Sequence, residues 1–541
     1  MAEYLSSTKD NFECCTFREL IRENAVRFSD RYAFAYCDGN LGFNKKVTYK
    51  QFMKDVFSLG EELLARTYPA GSRIGIWGKN CYEGIVTYFA AICSGYVIVP
   101  INSACSIAEA ESMFERSKCQ LVVYAEEHRR DIPQLTANGL QALSIQELFD
   151  QVKPRVDKDK FPPVEQARIS KDDLASILYT SGTSGNSKGV LLSQYALVRN
   201  GYRLAQCVRC NSDSLLLLPI HHIFSIIAIS LEMNYGGCTY ICSSLRRYPI
   251  ELKESDAGFL FIVPMFVQNL YMQIQKQLEK QGKKKKIERL IKLSCALRKI
   301  GVDLRKPLFK DVRAIISNSL DIIGCGGAAL PADLATYFRN IGVTVINGYG
   351  MTEAAGVITA ETEKQYCDES VGKPLGGVSI QLKDPQNGIG EILIKGECLM
   401  QGYLDDPVAT ADAFEDGWLK TGDLGLLDKN GFLKITGRNK NLIILENGEN
   451  VSPEGIEANI SNIPYVKEVV CYEHDGKICA EVFMDKNNAL VRDNPEVEAM
   501  LNKDILSVNR KLPDYMQIRK VIIRDTEFEK TSSNKIKRKQ D

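Results

Sequence analysis

The chain has 541 residues, of which 68 are Lys or Arg, 68 are Asp or Glu, and 45% are hydrophobic. Single hydrophobic cores stop growing near about 250–300 residues, so this length predicts several packed subdomains. The balanced charge excludes a global bias toward nucleic acid or another highly charged partner, and function has to be sought in local patterns.

In chain order, Met1–Cys15 is polar and lacks the apolar core of a secretory leader. The 17 cysteines are scattered, and Cys207 and Cys210 form one CxxC with no second pair at zinc spacing. Cys238 and Cys242 flank a strand-like Thr-Tyr-Ile run. A reduced, cytoplasmic protein is expected, without metal or redox work for its thiols. The most apolar segment, Ile85–Ile101, approaches membrane-spanning length. Ser94 and Gly95 divide it into a helix-like half and the β-branched half Tyr96–Val99, which fits a buried α/β core and predicts no transmembrane segment.

Strand-like runs at Ile74–Trp77, Leu121–Tyr124, Ala175–Tyr179, Ser214–Leu218, Phe259–Val263, Asp321–Ile323 and Val343–Ile346 alternate with amphipathic helical stretches. That alternation is the pattern of parallel sheets flanked by helices. Between Met265 and Asp311 lies a long helical stretch rich in Lys and Arg, including Lys283–Lys286. It reads as a solvated helix pair with a basic turn, or as an electropositive surface for anionic lipid or CoA phosphates, which leaves peripheral membrane contact open. From Gly372 to Ile435 short β-like runs alternate with turns. Past residue 440, Ser452-Pro453-Glu454 opens a helix and strands follow near Glu468–Tyr472 and Ile478–Met484, a small α+β unit of about a hundred residues.

Five segments carry chemistry. After the strand at Ala175–Tyr179 comes Thr180-Ser181-Gly182-Thr183-Ser184-Gly185-Asn186-Ser187-Lys188-Gly189-Val190, with hydroxyls, glycine N–H groups and one cation suited to a polyphosphate. It departs from the Walker loop, because Lys188 is not followed by Ser or Thr; a plain solvated turn is the other reading. Gly324-Cys-Gly-Gly327-Ala328-Ala329 imitates a dinucleotide fingerprint, but the next strand ends in Asn347 where a ribose-binding acid is needed, which argues against a nicotinamide or flavin. Asn347-Gly348-Tyr349-Gly350-Met351-Thr352-Glu353 reads as a strand end and tight glycine turn offering a stacking ring, an amide for an exocyclic amine, and Thr and Glu for phosphate and Mg²⁺. Asp423 closes Trp418-Leu-Lys-Thr-Gly-Asp, with Arg438 fifteen residues on, and alone reads as a turn residue. Lys530-Thr-Ser-Ser-Asn534-Lys535-Ile-Lys-Arg538 alone reads as a disordered basic tail.

Together these segments resemble the adenylate-forming, or AMP-binding, superfamily, and Phe17-Arg-Glu-Leu-Ile and Gly71–Pro100 are similar to its opening, so the resemblance covers essentially the whole chain. It departs from the family pattern at Ser187 and Glu529, where proline is usual, and at Asn534, where glycine is usual. The resemblance implies an α/β fold. A large N-terminal domain, 1–437, would hold two parallel-type α/β subdomains plus a β-rich subdomain; 438–441 would be a hinge at Lys440, and 442–541 a small mobile α+β domain. It implies ATP bound through Thr180–Ser184 and Lys188, adenine against Tyr349, Asn347, Gly348, Gly327 and Ala328, the α-phosphate at Thr352, Mg²⁺ on Glu353, ribose on Asp423 and Arg438, and Lys535 as the catalytic lysine. His222, between apolar runs, reads equally as a packed residue and as the family's gate to the acyl pocket. The implied reaction is ATP-dependent activation of a carboxylic acid to an acyl-adenylate, then transfer to the thiol of CoA. The spacing around Val263-Pro264-Met265 and the basic helical stretch looks most like long-chain fatty acyl-CoA synthetases. A carrier-protein phosphopantetheine thiol as acceptor, or an aryl acid as substrate, is the alternative, and the sequence leaves a monomer or a homodimer open.

Overall fold

The computed structural model describes residues 14–39, 42–137, 139–152, 160–180, 187–208, 213–445, 450–474, 476–488, 490–510 and 512–530, with 536 and 538. The chain opens on the helix Phe17–Arg27, started by a capping box in which the Thr16 hydroxyl accepts from the Glu19 N–H and the Glu19 carboxylate accepts from the Thr16 N–H.

Two large sheets follow. The first runs in the order Gly402–Tyr403, Lys188–Ser193, Leu174–Thr180, Val97–Ile101, Arg73–Trp77, Cys119–Tyr124, Gln141–Ser144, parallel from Leu174–Thr180 onward. The apolar segment that approached membrane length divides where expected: the helix Tyr82–Cys93 ends at Ser94, Gly95 turns the chain with φ +81°, and Val97–Ile101 is a fully buried strand. No helix among the described residues is long and apolar enough to cross a membrane.

The second sheet has the order Lys373–Pro374, Gly356–Ala360, Thr344–Met351, Ile322–Cys325, Phe259–Ile262, Ser214–Leu216, Thr239–Ile241, Tyr32–Tyr36, Lys45–Thr48, and its six strands from Thr344–Met351 to Tyr32–Tyr36 are parallel. Helix Ile223–Tyr235 is buried all round its middle, from Ser225 to Met233, as a helix sandwiched in a core must be. One apolar cluster joins it to Phe17, Phe52, Phe89 and Leu197 on four other helices and to strand residues of both sheets, among them Ile98 and Phe261.

Two expectations change. Asn347–Met351 is no turn: the strand Thr344–Met351 continues through it, paired antiparallel with Gly356–Ala360. Glycine makes this pairing feasible, because a Cβ at Gly350 would lie 1.9 Å from the Gly356 carbonyl oxygen. The predicted tail is also pinned at its described positions. Lys530 pairs in a β-bridge with Ile536 and its Nζ lies 2.9 Å from Glu527 Oε2, while Arg538 Nη1 donates to the Cys471 carbonyl at 3.2 Å. Lys535 itself lies outside the described residues.

The basic stretch is a helix pair, Pro264–Lys280 and Lys284–Lys299, joined through Gly282 at φ +63°. An antiparallel sheet of Val378–Gln386, Ile389–Gly396, Trp418–Leu427, Phe414–Glu415 and Leu433–Arg438 forms the β-rich part. The small C-terminal unit packs the helices Pro453–Ser461 and Val497–Asn509 on the sheet Val466–His474, Lys477–Met484, Ile518–Arg524 around its own core. Pro453 opens its helix at the first position, and the Ser452 hydroxyl donates to Glu454 Oε2 at 2.7 Å rather than capping the backbone. Every described cysteine is a free thiol, and Cys210 lies outside the described residues.

Candidate active site

The hydroxyl-rich loop joins two strands of a hairpin. Thr180 ends one strand, Lys188 begins the return, and the two face each other in register, with Thr180 Oγ1 donating to the Lys188 carbonyl at 3.4 Å. Ser181, Gly182, Thr183 and Ser184 lie outside the described residues. The Lys188 ammonium lies 4.7 Å from the ring centroid of Tyr403, whose hydroxyl donates to Glu353 Oε1 at 3.1 Å. Burial first, and the Glu353 charge second, push the Tyr403 phenol well above its ordinary pKa, so it remains a donor at neutral pH. Glu353 sits in the one-turn 3₁₀ segment Thr352–Ala354 that follows the strand, and its carbonyl accepts from the Met400 N–H at 2.8 Å. A cation, a ring and a carboxylate thus converge at the mouth of the hairpin.

A second chain of contacts starts four residues before Glu353, on the strand Thr344–Met351. The Tyr349 hydroxyl donates to Asp423 Oδ2 at 2.7 Å, and Arg438 Nε lies 2.9 Å from Asp423 Oδ1, with Asp423 and Arg438 directly opposite each other on paired strands. Asp423 is buried while Arg438 is exposed, so the ion pair leads from the interior to the surface. Burial, then Asp423, hold the Tyr349 phenol far up. Asn347 is buried and donates through Nδ2 to the Ser370 carbonyl at 2.7 Å, but its Oδ1 has no partner among the described residues. An unsatisfied buried acceptor costs about 1–3 kcal/mol, so this oxygen is a position where a donor is missing. Cys325 pairs with Asn347, which brings the loop Gly326–Ala328 beside Gly348; Gly327 has φ +81°, and the Gly348 carbonyl oxygen is 3.1 Å from where a Cβ at Gly326 would be. Gly327, Ala328, Asn347, Gly348 and Tyr349 therefore share one end of the second sheet.

His222 stands at the N-cap of helix Ile223–Tyr235, its ring 4.1 Å from that of His221. His221, not singled out in the sequence, is the more perturbed of the pair: burial, then the neighbouring His222, lower its pKa to about 3, and its Nε2 has no partner among the described residues. Lys440 lies in the 3₁₀ turn Asn439–Asn441 right after Arg438. There the two units touch closely, since a Cβ at Gly437 would meet Ser452 Oγ at 1.8 Å and Asn441 Nδ2 donates to Glu454 Oε1 at 2.7 Å.

With this geometry in place, comparison with known proteins is decisive on one point. The profile of the AMP-binding enzyme family matches residues 21–404, and that of the AMP-binding enzyme C-terminal domain matches residues 440–541. The chain belongs to the AMP-binding enzyme family. Among relatives in that family, the long-chain-fatty-acid–CoA ligase FadD15 of Mycobacterium bovis is 27% identical over 78% of this chain and 74% of its own. The chloroplastic long-chain-fatty-acid–[acyl-carrier-protein] ligase AEE15 of Arabidopsis thaliana is 25% identical over 90% of this chain and 78% of its own. The crystal structure of ATP-bound MatB from Rhodopseudomonas palustris superposes with a TM-score of 0.75 at 25% identity, covering 96% of this chain and 97% of that one. This AMP-binding enzyme is thus a ligase of the AMP-forming acid–thiol class, with a large mixed α/β domain followed by a small C-terminal one.

Two side chains of this family member escaped the motif reading. Tyr403 belongs to a two-residue strand too short for any periodicity, and only the pairing of Gly402–Tyr403 with Val190 and Leu191 delivers it to Lys188. Glu361 is fully buried; its Oε2 accepts from Arg339 Nη2 at 2.6 Å and from the Asn347 N–H at 3.2 Å, which fixes the backbone that carries the half-paired Asn347 amide. A buried carboxylate paired this way costs dearly if its partner is removed.

Proposed function

We propose that this chain joins a fatty acid to ATP as an acyl-adenylate, releasing pyrophosphate, and then passes the acyl group to the thiol of CoA. The observation that carries this reading is the orphaned Asn347 Oδ1 beside the Tyr349–Asp423–Arg438 chain. A buried acceptor next to an aromatic face suits the exocyclic amine of adenine, and a carboxylate already paired to an arginine suits vicinal ribose hydroxyls. Gly327 and Ala328 would line the other side of the base, Thr180–Ser184 and Lys188 would hold the departing phosphates, and Thr352 would touch the α-phosphate. Among the described residues no group of three or more His, Cys, Asp and Glu is poised for a metal. Glu353 alone fits Mg²⁺, which takes one or two carboxylates and completes its shell with phosphate oxygens and water. When bound there, Mg²⁺ supplies neutralisation of phosphate charge.

Carboxylate is a poor electrophile and oxide a poor leaving group, so the first step forms a bond from the acid oxygen to the α-phosphorus and breaks the bond to the bridging oxygen of pyrophosphate. Two anions meet in that step, and the task of the protein is to hold positive charge at both. Lys535 would bridge carboxylate and α-phosphate as an electrostatic clamp, while Tyr403 keeps Lys188 and Glu353 in fixed relation. In the second step the thiol sulfur attacks the acyl carbon and AMP leaves. We place the domains at 1–437 and 442–541 with a hinge at 438–441, where rotation about Lys440 would withdraw Lys535 and admit the thiol. A cytoplasmic setting would keep the free thiols reduced.

For the acid, support comes from the long-chain ligase among the relatives and from the apolar character of the packing next to His222, where Phe224 and the buried Phe261 meet edge to face at 5.4 Å. Each methylene buried against apolar side chains contributes about 0.8 kcal/mol, which would favour long chains. The carrier-protein ligase among the relatives supports a second reading in which a phosphopantetheine thiol replaces CoA. Pyrophosphate exchange with a panel of fatty and aryl acids, followed by thioester formation with CoA or a carrier protein, tests both. Exchange confined to aryl acids would refute the fatty-acid reading, and acyl transfer to the carrier alone would exchange the acceptor.

A further inference from the structure

The outer face of helix Lys284–Lys299 carries a pattern that the ligase chemistry does not use. Residues seven apart on a helix fall nearly in line, drifting by only about 20° per step. Lys285, Lys292 and Lys299 form one such row, Lys286, Leu293 and Ile300 form the next, and Arg289 and Ala296 lie between them, all exposed. Leu293 is 52% exposed and Ile300 74%; Val302 and Leu304 continue the apolar surface at 41% and 40%. The opposite face is the packed one, with Ile287 and Ser294 buried.

The charges are as unusual as the apolar groups. Lys284 is tied to Glu279 at 2.9 Å, but Lys285, Lys286, Arg289, Lys292 and Lys299 have no ion-pair partner among the described residues. Glu288 is the one acid on this side of the helix. Where the helix ends, a cavity of about 500 Å³ is lined by Arg298, Arg305, Arg339 and Lys364 with Asp303 and Glu363; there Arg305 is paired with Asp303, and Arg339 with Glu361 and Asp368, so the unpaired positive charge is concentrated on the helix. A lone exposed leucine needs no explanation. Apolar rows interleaved with unpaired cations along one exposed helix face match a flat surface that is negative outside and apolar beneath.

We propose that this face docks the enzyme on an anionic lipid bilayer, with the cations at the headgroups and Leu293, Ile300, Val302 and Leu304 reaching the acyl boundary. Docking of this kind is independent of which acid is activated, so it stands or falls separately from the substrate reading. Each cation near an anionic leaflet strengthens binding by about fivefold, and the effect fades within a Debye length.

Flotation of the full chain with phosphatidylcholine vesicles, with and without about one third phosphatidylglycerol, provides the test. The protein is expected to float only with the anionic vesicles and to be released as salt rises toward about 0.5 M. The combined Lys285→Glu, Lys292→Glu and Lys299→Glu variant should lower binding by more than about tenfold. Leu293→Ser with Ile300→Ser should weaken it while leaving its salt dependence in place. All these positions are solvent-facing and unpaired, and an unchanged thermal midpoint will show that the variants fold. Equal flotation with neutral vesicles, no flotation with either, or binding indifferent to both sets of substitutions would overturn the proposal.

Discussion

Arg116 is where the departure from the family pattern at Ser187 meets the structure. Its Nη1 donates to the Ser187 carbonyl at 3.0 Å, and its guanidinium lies 5.5 Å from the Tyr179 ring centroid. Tyr179 is itself anchored, donating to the Met113 carbonyl at 3.0 Å and sharing a 2.7 Å hydrogen bond with Ser117. A proline at position 187 would restrict the loop by fixing its own φ, an effect of about 0.4–1 kcal/mol. A charged but solvent-exposed hydrogen bond to the same carbonyl contributes about 1 kcal/mol, so Arg116 can supply what the proline would. Arg116→Met, which keeps the stem and removes the donor, is therefore expected to raise KM for ATP in pyrophosphate exchange by about fivefold, with little change in kcat. In a Ser187→Pro background the same substitution should cost less than about twofold, because the loop no longer depends on the tether. Measuring the four KM values of this cycle decides the matter. Equal costs of Arg116→Met in the two backgrounds would refute the reasoning, as would no cost in the parent enzyme.

Tyr403→Phe removes the hydroxyl from Glu353 but keeps the ring beneath Lys188; adenylation should fall by about five- to tenfold, and Tyr403→Leu, which also removes the cation–π contact, by a further two- to fivefold. Steady-state exchange rates check the order, and equal losses would show that the ring has no role. Lys535→Ala should abolish adenylate formation yet still convert preformed acyl-adenylate and thiol to thioester, read in single turnover; loss of both half-reactions together would contradict the hinge reading. Burial lowers the His221 pKa from 6.5 to about 3, so as pH falls below 6.5 protons bind the unfolded chain first and stability drops through the window down to about 3. His221→Gln should consequently lose less stability than the parent between pH 7 and pH 5, as read from urea midpoints; parallel losses would mean that His221 protonates as freely folded as unfolded.

The parallel sheets were legible because their strands are short β-branched runs between amphipathic helices, and each such run sits where it was read, give or take a residue or two at the ends, except Val343–Ile346, whose strand continues to Met351. Ser94 and Gly95 likewise announced the break that a membrane span would not have. What the motifs could not tell is how their members face one another. Asn347–Met351 looks like a turn because glycines dominate it, but those glycines serve to let a strand edge approach Gly356 closely, and only the ladder reveals that. Asp423 alone resembles a turn residue; its meaning appears when Tyr349, 74 positions away in sequence, donates to it and Arg438 pairs from the opposite strand. Tyr403 and Arg116 had no local signal at all, since neither sits in a recognisable pattern and each acts through a distant contact, Tyr403 at a separation of 50 from Glu353 and Arg116 at a separation of 71 from Ser187. A chain that departs from its family at Ser187 thus need not have loosened its loop. The rigidity can come from a neighbouring helix instead of the loop's own covalent geometry, and this substitution of a through-space tether for a ring is invisible to any reading that takes the loop one residue at a time.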